Sequence, residues 1–402
     1  MNALAHRTPA FAPAFYAASE FDGVIHQLDH WLVARDYEGY EPYDLLNSPY
    51  LKSWAQHQPW ATCFIQAGKC IGGLRLRRFL RVPESRNPKA LGLVLSAYCC
   101  LSAAGWDCAA AAAHVKQLLI DLRSPSENEF CWGYDWHYVS LRGARLPAFS
   151  PNSIATVFCA QALLDHAETY HDNDSRCLAI SCAKWLATRL QRSVDDDRHL
   201  CFSYTAHDRT RIFNNSALVA AFLTRVDRLQ QLALYRDATR RAIQFLVDNQ
   251  SPDGSWHYGL GRSQSWIDSF HTGYNLCALL DYQLAVSDPA LSSSLERGYA
   301  FYKLHFFTAD GAPRYFHDRT YPIDIHACSQ AILTFCAFAE YDPAALAKAV
   351  ELARWTVAHF LNPDGSFGYQ LHRFRRDRTP YVRWSQAWML RALSQLRLKL
   401  SS

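Results

Sequence analysis

The sequence lacks any uninterrupted apolar run of eighteen residues, although half of its residues belong to the apolar set. A membrane-spanning helix needs about 20 consecutive, mostly apolar residues, so no integral membrane segment is predicted. Pro9 and Pro13 interrupt the N-terminal stretch, which has no compact hydrophobic segment of the signal-peptide kind. We therefore expect residues 1–20 to form a loose arm, residues 21–402 to form a single domain, and the protein to be cytoplasmic.

An excess of charge of either sign is also missing, because 41 Lys and Arg residues stand against 37 Asp and Glu residues. A nucleic-acid-binding domain carries a clear basic excess, so no nucleic-acid partner is predicted. Charged residues make up only 19% of the chain and aromatic residues 14%, a composition that favours a large packed core over disorder.

The thirteen cysteines include no Cys-x-x-Cys pair, and most of them, such as Cys159, Cys277 and Cys336, lie in apolar helical runs. They are predicted to be small core residues in a reducing compartment. Glycine-rich phosphate-binding motifs and the Gly-x-Ser-x-Gly nucleophile motif are absent as well. Neither a cofactor nor a metal is predicted.

The chain does contain a long repeated unit, marked by an aromatic-x-Tyr step. The tyrosines of the five copies are Tyr134, Tyr204, Tyr258, Tyr315 and Tyr369, which lie 70, 54, 57 and 54 residues apart. Proline replaces the first aromatic residue in the fourth copy. Three copies carry an Asp-Gly turn just before the step, at Gly254, Gly311 and Gly365. A period of this length suits a helical hairpin plus a loop.

Two kinds of predicted helix alternate between these loops. Largely apolar helices are predicted at 90–104, 152–166, 214–226, 270–284, 325–339 and 383–396. One-sided, amphipathic helices are predicted at 107–122, 175–192, 229–250, 290–307 and 343–361, with a further helix at 21–35. The alternation predicts an all-α fold, an (α/α)6 toroid of two concentric helix rings. Short β segments at one rim, such as 201–204 and 314–316, are expected beside a mouth formed by the loops and the starts of the inner helices.

Two acid and imidazole pairs lie at the predicted starts of inner helices: Asp268 with His271, and Asp324 with His326. Helix capping is an alternative explanation for the aspartates. Histidine is a poor cap, and the positive end of a helix disfavours its protonated form. Internally bonded, structural histidines remain the alternative for these positions. The predicted catalytic residues are His271, His326, Tyr258, Tyr315, Asp268 and Asp324.

Aromatic residues crowd the same predicted mouth and form a candidate platform for stacking on sugar rings. They are Tyr134, Trp136, Tyr204, Trp256, Trp266, Tyr274 and Trp384. Packing between hairpins is the alternative role for each ring. Polar candidates for substrate binding are Asp135, Asp208, Arg209, Asn214, Asn215 and Arg319. The arginines belong to a His-Asp-Arg sequence found twice, which is also consistent with a surface ion pair.

Two charged runs are interpreted as solvent-exposed. The arginines from Arg373 to Arg383 are predicted to form a solvated rim, and Asp195 to Asp197 a solvated turn. The aspartate run lacks the leading aspartate of the Asp-x-Asp-Asp motif of class II terpene cyclases. A terpenoid cyclase is accordingly the least favoured hypothesis.

Several segments resemble a bacterial and archaeal family of α/α toroids that is often encoded near polysaccharide biosynthesis genes. They are YEGYEPYDLLNSPYL, CWGYDWHYV, CFSYTAHDRTRIFNNSAL, DGSWHYG with WIDSFHTGYNL, and YFHDRTYPIDIHACSQA. Members are described as squalene-cyclase-like or six-hairpin-glycosidase-like. The resemblance covers residues 37–395 and implies the toroid fold, a glycan substrate and possible association with a polysaccharide assembly complex.

The leading hypothesis is a carbohydrate-active enzyme of the epimerase or lyase type that acts on an acidic, uronic-acid-type glycan or its precursor. Tyr258 or Tyr315 abstracts the proton, with His271 and His326 as acid and base partners and Asp268 orienting His271. The substrate carboxylate is held by Arg209 or Arg319 together with Asn214 or Asn215. The alternatives are a glycoside hydrolase that uses Asp135, Asp268 and Asp324, a non-catalytic glycan-binding or scaffold module, and a terpenoid-cyclase-like enzyme.

Overall fold

A computed structural model describes residues 17–51, 60–70, 73–139 and 145–401. Helices dominate these residues, as the sequence predicts. Their bounds are α1 (Asp22–Val33), α2 (Ala61–Cys70), α3 (Gly73–Phe79), α4 (Pro88–Ala103), α5 (Ala109–Asp121), α6 (Ser153–Tyr170), α7 (Asn173–Thr188), α8 (Phe213–Gln230), α9 (Ala233–Asp248), α10 (Ser269–Val286), α11 (Ser292–His305), α12 (Ile325–Ala337), α13 (Ala345–Phe360) and α14 (Trp388–Lys399). A π-helical turn, Val382–Ala387, leads into α14.

Helices α4, α6, α8, α10, α12 and α14 form a closed inner ring. Each packs against the next, and α14 packs back against α4. Helices α5, α7, α9, α11 and α13 each pack on the inner helix that precedes them in the chain. This arrangement confirms the predicted (α/α)6 toroid.

The sixth outer position is filled by α1, from the opposite end of the chain. Helix α1 packs against α14, and Arg397 forms an ion pair with Asp22 at 2.9 Å. The indole N–H of Trp31 donates to the Asp364 carboxylate at 3.2 Å. The two ends of the sequence therefore build one hairpin together and close the toroid.

Burial follows the predicted distinction between the rings. Helix α4 buries residues on every side, including Leu91, Val94 and Leu95. Helix α9 buries one stripe, with Ala242 and Leu246 inward and charged residues outward. An inner helix is in contact with neighbours all round, whereas an outer helix keeps a solvated face.

Short strands lie at the rim, as expected. They are β1 (Tyr138–Val139), β2 (Arg145–Leu146), β3 (Arg192–Asp195), β4 (Leu200–Phe202), β5 (Ile323–Asp324), β6 (Gln370–Leu371) and β7 (Arg376–Asp377). They pair as β1–β2, β3–β4 and β5–β6–β7, all antiparallel. The predicted segment 201–204 overlaps β4, whereas 314–316 forms no named strand and makes isolated bridges through Phe316.

Two further predictions concern the N-terminus and the aspartate run. Residues 1–16 of the predicted arm lie outside the described part of the chain, and Ala18–Phe21 forms one 3-10 turn before α1. Asp195, Asp196 and Asp197 are exposed at the β3–β4 turn, where Arg241 pairs with Asp195 at 2.6 Å. The solvated-turn interpretation of this run is confirmed.

The Asp-Gly turns adopt the backbone conformation that the sequence predicts, with φ of +91° at Gly254. A Cβ atom at Gly254 would overlap the backbone carbonyl of Arg297, whereas a Cβ at Gly105, with φ of +90°, would meet no atom within 4 Å. We expect Gly254→Ala to lower the free energy of unfolding by about 2–4 kcal/mol, and Gly105→Ala by about 1–2 kcal/mol from backbone strain alone. Urea unfolding of both variants measures the difference, and equal losses would contradict the steric explanation.

Candidate functional site

The first residue of each aromatic-x-Tyr step and its tyrosine lie in different parts of the fold. The first rings of four copies, Trp132, Phe202, Trp256 and Phe367, are 0–1% exposed and lie in the core. The tyrosines approach one another at the mouth. The hydroxyls of Tyr134 and Tyr204 lie 3.3 Å apart. In addition to the effect of burial, the other tyrosines are close enough to raise one another's pKa, Tyr134 that of Tyr258, Tyr258 that of Tyr315, and Tyr315 that of Tyr369.

Tyr43 adds a sixth ring from the loop after α1. Its ring stacks on Trp136 with centroids 5.8 Å apart and meets the edge of Trp384 at 6.0 Å. It also interacts electrostatically with Tyr258, Tyr315 and Tyr369. We call the six residues Tyr43, Tyr134, Tyr204, Tyr258, Tyr315 and Tyr369 the tyrosine belt. Burial raises the pKa of the last five of these phenols, so they stay protonated at neutral pH.

Asp268 and His271 form a hydrogen-bonded pair at the start of α10. Asp268 caps the helix by accepting from the backbone N–H of His271 at 3.0 Å, and its other carboxylate oxygen lies 2.6 Å from His271 Nδ1. That oxygen also accepts from the Trp266 indole at 3.0 Å. No described residue bonds to His271 Nε2, and the side chain remains 20% exposed beside the Tyr258 ring. Asp268 thus acts both as a cap and as the group that orients the imidazole.

His326 occupies a similar position on α12 but has a different environment. Its Nε2 lies 2.7 Å from the Tyr274 hydroxyl, and its Nδ1 is buried with no hydrogen-bond partner among the described residues. The ring stacks on Phe270 at 4.4 Å and on Trp388 at 4.5 Å. Burial, with Lys89 and Arg383 nearby, holds its pKa well below the usual value. His326 is therefore a neutral, enclosed imidazole, and the predicted equivalence of the two pairs does not extend to their side chains.

Asp324 is surrounded by donors rather than paired with the imidazole of His326. It accepts from the backbone N–H of His326 and the Trp384 indole, each at 2.8 Å, and from the Gln370 amide at 2.6 Å. Asp324 is thus the cap of α12 and joins α12, the π-helical turn before α14, and β6. Helix capping, the alternative explanation given for the aspartates, therefore applies to Asp324 as well as to Asp268.

Arg383 is buried at the base of the mouth, which corrects its assignment to a solvated rim. It is 3% exposed and pairs with Glu41 at 2.9 Å. The guanidinium lies 5.3 Å from the Tyr134 ring centroid and 5.0 Å from that of Trp136, and no described residue accepts a hydrogen bond from its Nε. An arginine run predicts exposure on average, but residue 383 lies on the π turn that enters the inner ring.

Lys89 lies at the start of α4 among aromatic rings. Its ammonium is 4.0 Å from the Phe158 ring centroid, 5.1 Å from Trp388 and 5.8 Å from Tyr274. Across the described residues, no carboxylate lies within ion-pair distance of it. Burial lowers its pKa, and Arg383 lowers it further. The helix N-terminus also disfavours a cation here, so this buried lysine occupies a position that is costly for a positive charge.

Glu41 gives the site a pH-dependent contribution to stability. Burial raises its pKa to about 8, against the opposing charge of Arg383. Because this folded-state pKa lies above the ordinary 4.5, the folded state holds the proton more tightly, and the resulting stability is lost as the pH rises towards 8. Between pH 5 and 8.5, we expect the free energy of unfolding of the wild type to fall by on the order of 2–4 kcal/mol more than that of Glu41→Gln.

Urea unfolding across that range tests this prediction. The exposed Glu351→Gln serves as the control and should follow wild type. Parallel profiles for wild type and Glu41→Gln would contradict it.

The remaining polar candidates are mostly held inside the scaffold. Asn152 caps α6 at 2.8 Å, and Asn215 donates to the Phe202 carbonyl at 2.8 Å. Asp135 accepts from Ser85 and Asn87. Asp208 accepts from the backbone and hydroxyls of the turn that contains Thr205 and Thr210.

Asn214 differs from these residues, because its side-chain oxygen is buried with no hydrogen-bond partner among the described residues. It lies in the first turn of α8, whose N-cap is Ile212. Asn214 therefore does not cap the helix, and its side-chain oxygen remains available to accept a hydrogen bond.

The predicted arginines and tryptophans separate into surface and core. Arg209 is exposed, and Arg319 pairs with the adjacent Asp318 at 3.3 Å on the surface. The Trp256 indole donates to the Leu246 carbonyl at 2.9 Å within the core. Trp266 remains accessible and stacks on Tyr258 at 4.5 Å. Arg209 and Arg319 are thus surface residues, and Trp256 is a core residue.

The sequence prediction did not include Glu41, Tyr43, Lys89, Tyr369, Trp388 or the buried position of Arg383. Tyr369 was visible as the fifth copy of the step, and Lys89 as the lysine that opens an otherwise apolar helix. Among the described residues, no group of three or more His, Cys, Asp or Glu is placed to hold a metal. In the same residues, no helix is both long and apolar enough to cross a membrane.

Neither a protein-family model nor a curated protein sequence matches the chain. Solved structures do match its fold. An α-mannanase of glycoside hydrolase family 76 from Bacteroides thetaiotaomicron matches with a TM-score of 0.61 and 14% identity, over 80% of this chain and 87% of that one. Cellobiose 2-epimerase from Spirochaeta thermophila matches with a TM-score of 0.58 and 13% identity, over 78% and 86%.

An unsaturated glucuronyl hydrolase specific for heparin matches with a TM-score of 0.58 and 13% identity, over 78% of this chain and 87% of that one. At these identities the likeness shows the fold alone. The six-hairpin-glycosidase-like part of the resemblance agrees with these neighbours. The squalene-cyclase-like part and the genetic context remain predictions.

Proposed function

We propose that the chain is a carbohydrate-active enzyme that removes the proton next to the carboxyl group of an acidic sugar unit, in an epimerase or lyase reaction. The observation that carries the proposal is the Asp268–His271 pair, in which the carboxylate holds Nδ1 of His271 while no described residue bonds to Nε2. An imidazole held in this way has a fixed orientation and a free nitrogen for proton transfer. The structural neighbours include an epimerase and a glucuronyl hydrolase, which agrees with sugar chemistry on this fold.

The base in this reaction is His271 rather than a tyrosine. Because the pKa values of Tyr258 and Tyr315 are raised, their phenols donate protons and accept them poorly. His271 Nε2 takes the proton from the carbon next to the carboxyl. A tyrosine hydroxyl then returns a proton to the opposite face in epimerisation, or protonates the departing oxygen in elimination.

Positive charge beneath the tyrosine belt accounts for the preference for an acidic substrate. The inner helices direct their N-termini towards the mouth, and Lys89 and Arg383 lie close enough to lower the pKa of His326. Helix N-termini and cations both favour a bound carboxylate, and they stabilise the negative charge that develops after proton removal. These two buried cations replace the exposed Arg209 and Arg319 in the proposed role. Asn214, whose side-chain oxygen is buried with no hydrogen-bond partner among the described residues, remains a candidate for binding a sugar hydroxyl as an acceptor.

Product analysis with a panel of uronic acid oligosaccharides tests the proposal, with neutral oligosaccharides of equal length as the comparison. We expect turnover of an acidic member, giving either an unsaturated end or a product of unchanged mass and altered configuration. A product that gains the mass of water would instead indicate hydrolysis. That outcome would contradict the proposal, as would binding of acidic glycans without any product.

A further inference from the structure

The β5–β6–β7 sheet separates the candidate site from a second cavity. In its register Asp324 lies opposite Gln370, and Ile323 lies opposite Leu371, which lies opposite Arg376. Directly paired residues share a face of a sheet. One face therefore presents Asp324 and Gln370 to α12, and the other presents Ile323, Leu371 and Arg376 to a cavity of about 300 Å³.

Basic side chains line this cavity. Arg376 donates through one guanidinium nitrogen to the Leu361 carbonyl at 3.1 Å, while its buried Nε has no partner in the part of the chain that the structure describes. In the described part of the chain, no carboxylate lies within ion-pair distance of Arg376. Arg375 donates to His372 Nε2 at 3.2 Å, and both residues face the cavity.

The cavity also has an acidic residue and aromatic walls. Asp310 is its acidic lining residue, and its carboxylate accepts from the Thr308 hydroxyl. Trp355 forms one wall, with His359 stacked on it at 4.1 Å. Tyr321 offers an accessible ring and is 43% exposed. The lining of the cavity thus combines positively charged arginine side chains with aromatic rings.

We propose that this cavity is a second binding site for a carboxylate-bearing saccharide, distinct from the site around His271. The carboxylate would bind at Arg376 and Arg375, and the Tyr321 ring would pack on a face of the sugar. A cavity of this size is too large for a simple anion and lies at the lower end of the range for small organic ligands. The inference rests on the cavity alone and does not require the proposed catalysis.

Histidine NMR gives a readout local to this cavity, because His372 lies beside Arg375. Burial lowers the pKa of the His372 imidazole, with a further lowering from Arg375. A bound carboxylate stabilises the imidazolium, so titration of the full chain with a uronic acid disaccharide should raise that pKa and shift the His372 signals. The signals are assigned by their loss in His372→Gln. A neutral disaccharide, or acetate at the same concentration, should cause less than a tenth of the shift.

Variants of the cavity complete the test. Arg376→Gln and the exposed Tyr321→Ala should each weaken the disaccharide at least 10-fold, while Arg373→Gln, an exposed arginine of the same hairpin that does not line the cavity, should bind as wild type does. The His271→Asn variant should bind the disaccharide at this cavity with the affinity of the wild type. Binding at the cavity can thereby be distinguished from the proposed catalysis at His271. The proposal is overturned if His372 does not respond, if acetate reproduces the shift, or if Tyr321→Ala and Arg376→Gln retain full affinity.

Discussion

His271→Asn should reduce turnover of the responsive acidic glycan by about 10²–10⁴-fold, the usual contribution of a positioned general base. An asparagine amide retains a donor for Asp268 but has no nitrogen that can accept a proton at neutral pH. The Asp268 cap uses the backbone N–H of residue 271, so the fold should be preserved. Steady-state kinetics should show the loss in kcat, with KM changed less than threefold.

His257→Asn is the matched control for this variant. His257 is exposed on the loop that precedes α10, and its Nδ1 contacts the Ser265 carbonyl rather than a carboxylate. We expect that variant to keep wild-type turnover. Full activity of His271→Asn, or an equal loss in both variants, would exclude His271 as the base.

Lys89→Met should make the protein more stable and at the same time weaken its binding of acidic glycans. Methionine has a similar length and fits the aromatic surroundings formed by Phe158, Tyr274 and Trp388. Removing a buried amino group that has no close counterion among the described residues should raise the free energy of unfolding by about 1–3 kcal/mol. Losing that charge should weaken an acidic ligand about 10-fold and leave a neutral analogue unaffected. Urea unfolding and calorimetric titration measure the two effects.

Lys303→Met is the control for the change from lysine to methionine. Lys303 also lies over an aromatic ring, Tyr299 at 4.5 Å, but it is on the surface and pairs with Asp342 at 2.9 Å. Its replacement should change stability by less than about 1 kcal/mol and leave binding intact. A stability loss in Lys89→Met would contradict the inferred cost of burying this lysine. An unchanged preference for acidic ligands would show that Lys89 does not supply the charge that favours them.

The repeat explains why the architecture was predictable from the sequence. Helix pairs with apolar and one-sided patterns have few ways to bury their surfaces, and a closed double ring satisfies all of them. The three Asp-Gly turns followed from glycine's access to positive φ. Closure by α1 was not evident, because a contact between the two ends of a chain leaves no local pattern. The ion pair of Asp22 with Arg397 appears only in the folded structure.

The part of the candidate site that the sequence predicted lies at the starts of inner helices, where candidate functional residues also have a local structural role. Asp268 and Asp324 were identified from their position, and both are caps, but only Asp268 also contacts an imidazole. The difference lies in tertiary packing, since Tyr274 and Trp388 enclose His326. The prediction for Arg383 was wrong for the same reason, because its guanidinium packs against Tyr134 and Trp136, which lie about 250 residues away in the sequence, as well as against the adjacent Trp384.

Release of isotope tests the central claim, that the enzyme removes the proton next to the sugar carboxyl through His271. An acidic oligosaccharide that carries deuterium at this carbon would be incubated with wild type and with His271→Asn, and the label followed by NMR. We predict that wild type releases the deuterium into water with every turnover, whether the product is epimerised or unsaturated, and that His271→Asn releases it at least 100-fold more slowly. Product formation with the deuterium still in place, or equal release by both proteins, would contradict the account.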